Sequence, residues 1–198
     1  MEQMTKTIQS VINMAWPMVL ISVVIVVSLR ITYLIKNRQK FVLYKELLML
    51  SFIIYILCLF QIVTFQDDVS WSTNNFIPFK EMFRYDIGSR LFIKNVIGNI
   101  TLFLPFGLFT CYYLDIKKPF LICLLTIIAS LSIESVQMLI GRVFDIDDII
   151  LNLIGGIIGF YILVLLRKIG DSLPRFMKSD LFLNIISAII LIGIITLI

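Results

Sequence analysis

The sequence has no histidine, and only 15% of its 198 residues are charged. Without imidazole there can be no Ser-His or Cys-His nucleophile, no imidazole metal site and no histidine pH sensor. The three cysteines, Cys58, Cys111 and Cys123, lie within or at the edge of apolar stretches and show no CxxC spacing. They read as packing residues rather than redox or metal-binding ones. Glycine-rich phosphate loops of the P-loop or dinucleotide type are missing. Too little of the chain is polar for disorder.

What is abundant is apolar: 60% of the residues are hydrophobic, and the mean hydropathy is +1.01. Charge-free stretches set the layout. Thr7–Leu29 has 23 residues, Leu47–Gln66 and Asn95–Leu114 have 20 each, and Ile149–Leu166 and Leu181–Ile198 have 18 each. Pro119–Gly141 carries a single charge, Glu134. A bilayer core takes about 20 apolar residues in a helix. Runs this long and uniform do not suit barrel strands. The sequence therefore predicts an all-α, polytopic membrane helix bundle of about six transmembrane helices. The first stretch is too long for a signal peptide, is preceded by both Glu2 and Lys6, and has no small-residue cleavage site after it, so it is expected to persist as a helix. No internal repeat or lipidation motif is evident.

Basic residues orient the bundle. Arg30, Lys36, Arg38, Lys40, Lys45, Lys117, Lys118, Arg167, Lys168, Arg175 and Lys178 fall on one side, eleven of the 17 Lys and Arg. Lys6, Lys80, Arg84, Arg90, Lys94 and Arg142 fall on the other. The richer side is cytoplasmic by the positive-inside rule, which puts both termini outside, together with the 66–90 and 141–148 connections. The basic excess then belongs beside anionic lipid, and no nucleic-acid partner is expected.

Polar residues inside lipid need a partner or a task, and three segments concentrate them near the predicted outer face. Asn74-Asn75-Phe76-Ile77-Pro78-Phe79 breaks helix while keeping aromatic anchors for the interface. In Lys94-Asn95-Val96-Ile97-Gly98-Asn99, the two asparagines are four apart and share a helical face. They suit either interhelical hydrogen bonds or a ligand. Pro105, in Leu104-Pro105-Phe106-Gly107, is expected to kink or break that helix and free the Thr101 carbonyl. The third segment is the richest, with Glu134, Gln137, Arg142, Asp145, Asp147, Asp148, Asn152, Gly155, Gly156 and Gly159. Glu134 lies seven residues before Gly141, roughly 10 Å below the outer end, and is expected to be protonated or paired with a cation, Arg142, Arg90 or Lys94. If the chain after Gly141 is helical, Asp145, Asp148 and Asn152 share a face and Asp147 points elsewhere. Gly155 and Gly159 permit close helix approach. Four carboxylates facing one arginine suit either a structural network or a bound cation, amine or proton.

These blocks resemble the VanZ-like membrane protein family. Asn75-Phe76-Ile77-Pro78-Phe79 looks like its Asn-x-Ile-Pro-Phe loop, with Asn75, Pro78 and Phe79 as its motif residues. Asn95 to Asn99 with Phe103-Leu104-Pro105-Phe106-Gly107 looks like its central helix motif. Glu134-x-x-Gln137, Arg142, Asp145-x-Asp147-Asp148, Asn152 and Gly155-Gly156 look like its C-terminal motif. The resemblance covers about residues 45 to 165. It divides the chain into residues 1–41, an additional helix and basic loop; residues 42–168, the VanZ-like core; and residues 169–198, a basic loop and a last helix. It implies a multi-pass protein of a bacterial cytoplasmic membrane, in a Gram-positive organism, of a family named for low-level teicoplanin resistance. The scarcity of alanine (Ala15, Ala129 and Ala188 alone) beside many isoleucines and lysines fits an A+T-rich genome.

Three functions follow from the residues and the resemblance together. The first is a non-enzymatic envelope protein. Its outer polar cluster of Asn95, Asn99, Glu134, Gln137, Arg142, Asp145, Asp148 and Asn152 would engage membrane lipid, a cell-wall precursor or a lipoglycopeptide antibiotic. The second is a membrane enzyme acting on a lipid-linked phosphate, in which Glu134, Asp145 and Asp148 would hold a divalent cation or act as acid and base. The third is a small proton-coupled carrier centred on Glu134. No cofactor other than a divalent cation is expected.

Overall fold

The computed structural model describes residues 2–65, 74–170 and 172–196, with side chains described for 17–61, 74–170 and 172–196. Part of the 66–90 connection therefore lies outside the described residues. The described chain is helical and has no strand. Its helices are α1 (Glu2–Lys36), α2 (Leu43–Phe65), a single turn α3 (Arg90–Phe92), α4 (Gly98–Tyr113), α5 (Pro119–Leu139), α6 (Ile146–Gly170) and α7 (Asp180–Thr196). A π-helical turn, Ile93–Ile97, joins α3 to α4. Short 3-10 turns cover Met82–Arg84 and Arg175–Lys178.

Among the described residues, five helical segments are long and apolar enough to cross a membrane: Pro17–Lys36, Leu43–Gln61, Arg90–Tyr113, Pro119–Leu139 and Ile146–Gly170. The sixth expected span, α7, is apolar but shorter, with 17 residues. The chain is thus a multi-pass membrane protein with an all-helical fold.

Two compact units are present. One contains α1, α2 and α7, and the other runs from the 74–89 loop through α6. In the structure α2 packs on α1 and α7. In this first unit Arg30 forms a two-pronged ion pair with Glu46, at 2.8 and 3.0 Å, near the ends of α1 and α2.

In the second unit α6 is central and packs against both α4 and α5. The burial pattern explains this. On α5 the buried residues are Ile122, Thr126, Ser130, Glu134 and Gln137, one per turn on a single face. Pro119 opens that helix at its first turn, where its missing N–H costs nothing. On α6 the buried stripe is Asp147, Leu151, Asn152, Gly155, Gly156, Gly159, Phe160 and Leu163. Glycine fixes the spacing. A Cβ on Gly155 would strike the Ile100 carbonyl, and one on Gly159 the Leu104 carbonyl. A Cβ on Gly107 would strike the Gly156 backbone, and one on Gly156 the Thr126 side chain. The expected Gly155/Gly159 approach is therefore half of a four-glycine contact. An apolar cluster of Cys111, Ile116, Ile122, Phe160 and Leu163 fills the end of the unit where α4 finishes and α5 begins. Two cysteines are buried and the third half-buried, all three free.

Pro105 does not break its helix: α4 continues from Gly98 to Tyr113. The irregularity lies earlier, at the π turn.

Candidate functional site

The site lies where α4 begins, α5 ends and α6 begins. Its roof is the loop from Asn74 to Ser89. The loop is built around one asparagine. Asn75 donates its backbone N–H to the Phe144 carbonyl at 2.8 Å, and its own carbonyl accepts from Ile146 N–H at 3.1 Å. These bonds make an isolated parallel bridge between Asn75 and Asp145. The Asn75 side chain works in both directions. Its Oδ1 accepts from Ile77 N–H at 3.2 Å, an Asx turn, and its Nδ2 donates to Asp145 Oδ1 at 2.8 Å. Asn74 Oδ1 accepts from Phe144 N–H at 3.0 Å. Phe76 stacks on Phe144 with ring centroids 5.2 Å apart.

Asp147 closes the roof. Its carboxylate accepts backbone N–H groups from Phe79 at 2.5 Å, Glu81 at 2.8 Å and Met82 at 2.9 Å. Phe79 is held at φ 67, a left-handed conformation that costs a non-glycine residue about 1–2 kcal/mol. Charge-assisted bonds to a buried carboxylate offset that strain. Asp147 indeed points away from the face of Asp148, as expected, but towards a dedicated set of donors. It is 2% exposed.

Asp145 caps α6: its Oδ1 accepts from Asp147 N–H at 2.9 Å. Burial pushes its pKa above the ordinary carboxylate range, opposed by the bonds from Asp147 N–H and the Asn75 amide. Segment 141–148 is thus a short connection after Gly141, itself at φ 85, followed by the first turn of α6. Glu134 is 1% exposed, and its Oε2 accepts from Asp145 N–H at 3.0 Å. Arg142 lies close enough to act electrostatically on both Glu134 and Asp148. Of the cations expected for Glu134, Arg142 is the one that acts on it electrostatically.

Asn99 and Asn95 part company. Asn99 Nδ2 donates to Asp148 Oδ1 at 2.5 Å, linking α4 to α6. Asn95 instead bonds the Tyr85 hydroxyl. The sequence put both on one face; Asn95 sits inside the π turn and Asn99 in α4, and the two meet different partners. Burial raises the Tyr85 pKa, against the opposing bond from Asn95.

Asn152 is not drawn into this group by any of these bonds. It donates to Ser130 Oγ at 2.9 Å, a buried link between α6 and α5. Asp145, Asp148 and Asn152 are thus committed to different neighbours: the loop, α4 and α5. Gln137 is buried beside Glu134 on the inner face of α5. Pro78 and Phe79 lie exposed on the roof.

The apparent surplus of acid mostly dissolves. Asp145 and Asp147 are taken up in folding the roof, which leaves Glu134 and Asp148 beside Arg142 and Asn99. Among the described residues no three acidic or thiol side chains converge as a metal-holding group. Glu134, Asp145 and Asp148, the weak metal candidates, do not form one.

Sequence reasoning missed Tyr85, Ser130 and the role of Asp147. Ser130 was within reach, lying one turn from Glu134 on the same face. Tyr85 gave no local signal, because its partner is set by the fold.

The VanZ/LLP1 family model matches residues 52–167, more than half of the chain. No curated protein matches the chain. No solved structure matches it.

Proposed function

The chain belongs to the VanZ/LLP1 family, and from that premise we propose that it is a non-enzymatic protein of a bacterial cytoplasmic membrane, whose polar site engages an envelope amphiphile and lowers susceptibility to teicoplanin-type glycopeptides. The ligand is a lipid head group, a cell-wall precursor or the lipid-bearing antibiotic itself. The carrying observation is the Asn99–Asp148 pair next to buried Glu134 and Arg142, at the ends of three packed helices under a pinned loop. A site of this kind meets both charges of an amphiphile. Glu134 and Asp148 suit an amine, and a guanidinium such as that of Arg142 suits phosphate or carboxylate. The excess of basic residues on the opposite connections supports an outer-leaflet location.

The other two readings have less behind them. Metal-assisted transfer on a lipid-linked phosphate calls for converging ligands, which Glu134, Asp145 and Asp148 do not supply. A carrier built on a broken helix is weakened by the continuous run of α4 through Pro105.

Binding to full-length protein in phospholipid nanodiscs tests the site. Wild type is expected to retain teicoplanin more strongly than vancomycin, which carries no lipid chain. Asp148→Asn is expected to weaken teicoplanin binding about tenfold, equivalent to about 1.4 kcal/mol. Equal binding by wild type and Asp148→Asn overturns this assignment.

A further inference from the structure

The roof loop turns its backbone inward and its apolar side chains outward. Asp147 draws in the N–H groups of Phe79, Glu81 and Met82. The side chains between and around these donors are left on the far side. Phe83 is 80% exposed and Ile87 is 90% exposed, although both lie outside the helices that cross the membrane. Phe76, Ile77 and Phe79 are exposed too, and the rings of Phe79 and Phe83 lie 6.2 Å apart. A contiguous apolar surface of this kind on a pinned loop marks a place of contact.

Two observations identify the partner. First, the surface has no boundary towards the membrane. Leu91 and Ile93 are exposed at the start of the Arg90–Tyr113 span, and Leu139 and Ile140 at the end of α5. The apolar face of the loop thus runs directly into helix surface that meets lipid chains. Second, the charges around it are mainly positive. Lys80, Arg84, Arg90 and Lys94 stand against Glu81 and Asp86; the Arg84–Glu81 pair at 3.0 Å cancels one charge of each sign and leaves Lys80, Arg90 and Lys94 against Asp86. Aromatic and aliphatic side chains beside Lys and Arg form the pattern of a segment lying in the headgroup region.

We infer that residues 76–93 are a lipid-embedded anchor for an anionic phospholipid leaflet. Phe79, Phe83 and Ile87 enter the boundary between head groups and chains, and Lys80, Arg84 and Arg90 lie at phosphate depth. The anchor does not depend on what the polar site binds. It sets the depth of the site, because Asp147 and Asn75 tie the same loop to the start of α6.

Tryptophan placed in the loop reads its surroundings. Phe83→Trp and Ile87→Trp are made separately in full-length protein carrying Trp16→Phe and Trp71→Phe. Each is reconstituted in phosphatidylcholine nanodiscs with and without phosphatidylglycerol. Both are substitutions on an exposed surface, and size-exclusion behaviour confirms folding. Brominated-chain phosphatidylcholine is expected to cut each indole's emission at least twofold, while aqueous acrylamide quenches it severalfold less than free tryptophan. Lys80→Gln with Arg84→Gln and Arg90→Gln is expected to reduce phosphatidylglycerol co-purifying with the protein at least fivefold. Free quenching by acrylamide with no effect of brominated lipid at both positions overturns the anchor and points to an aqueous or protein-covered loop. Immersion with unchanged phosphatidylglycerol retention overturns the anionic preference.

Discussion

The two units solve helix packing differently. In the unit of α1, α2 and α7, the buried apolar residues are side chains such as Val19, Leu34, Ile54, Tyr55 and Leu59. Its glycine in α7, Gly193, has open space where a Cβ would go. Its buried serines bond within their own helix, Ser51 to Leu47 and Ser187 to Leu183, while Arg30–Glu46 and Gln61–Met18 join α2 to α1 at the level of side chains. In the unit of α4, α5 and α6, four glycines bring backbones into contact, and buried polar side chains bond between elements. Aliphatic packing tolerates sliding and rotation. Backbone contact and interhelical hydrogen bonds fix register, as a site assembled from three helix ends demands.

Breaking the glycine contact should produce the largest contrast. Gly159→Leu drives a side chain into the Leu104 carbonyl and is expected to abolish folded protein in detergent. Gly193→Leu, with nothing in its way, is expected to leave the yield of monodisperse protein near wild type. Comparable yields for the two variants would show that glycine spacing does not distinguish the units.

Removing the roof clamp ranks next. Asp147→Ala leaves three backbone donors without an acceptor and should cost about 3–5 kcal/mol, using about 1–3 kcal/mol for each unsatisfied group with partial relaxation. Asp180→Ala, in the first turn of α7, removes only a favourable interaction with the helix dipole, about 0.3–1 kcal/mol. Denaturant titration in detergent compares the pair. A smaller effect for interhelical polar bonds is expected. Asn152→Leu should cost about 1 kcal/mol, as buried links between membrane helices do, whereas Ser187→Ala should be nearly silent in the same titration.

The smallest expected effect is on pH dependence. Burial raises the Asp145 pKa above its ordinary 3.8, so the folded state holds this proton more tightly than the unfolded state. The contribution is fully present below the ordinary value and is lost as pH rises through the raised one. Asp145→Asn should flatten the fall in stability over that window while keeping an acceptor for Asp147 N–H. An unchanged slope would assign the pH dependence to other carboxylates.

Much of this fold was legible because lipid leaves few options. Charge-free runs located the helices, and Gly155 and Gly159 announced a close approach. Polar residues cluster where α4 begins, α5 ends and α6 begins. The partners were harder to read. Asn75 meets Asp145 across seventy residues, a pairing that no local pattern encodes. Asp147 looked peripheral because helical periodicity turned it away from Asp148, yet its donors come from a loop whose path is itself set by Asp147. The π turn at Ile93–Ile97 came without a proline to announce it. Pro105, which suggested a break, sits in a helix that continues past it.

The central claim is that the polar ends of α4, α5 and α6 act on the envelope, and glycopeptide susceptibility tests it most directly. A susceptible Gram-positive host would carry empty vector, wild type, Asp148→Asn or Gly193→Leu, with membrane levels matched and teicoplanin and vancomycin tested in parallel. Protection by wild type and Gly193→Leu, lost in Asp148→Asn and stronger for teicoplanin, is the predicted result. Equal susceptibility of all four strains, or full protection by Asp148→Asn, would contradict it.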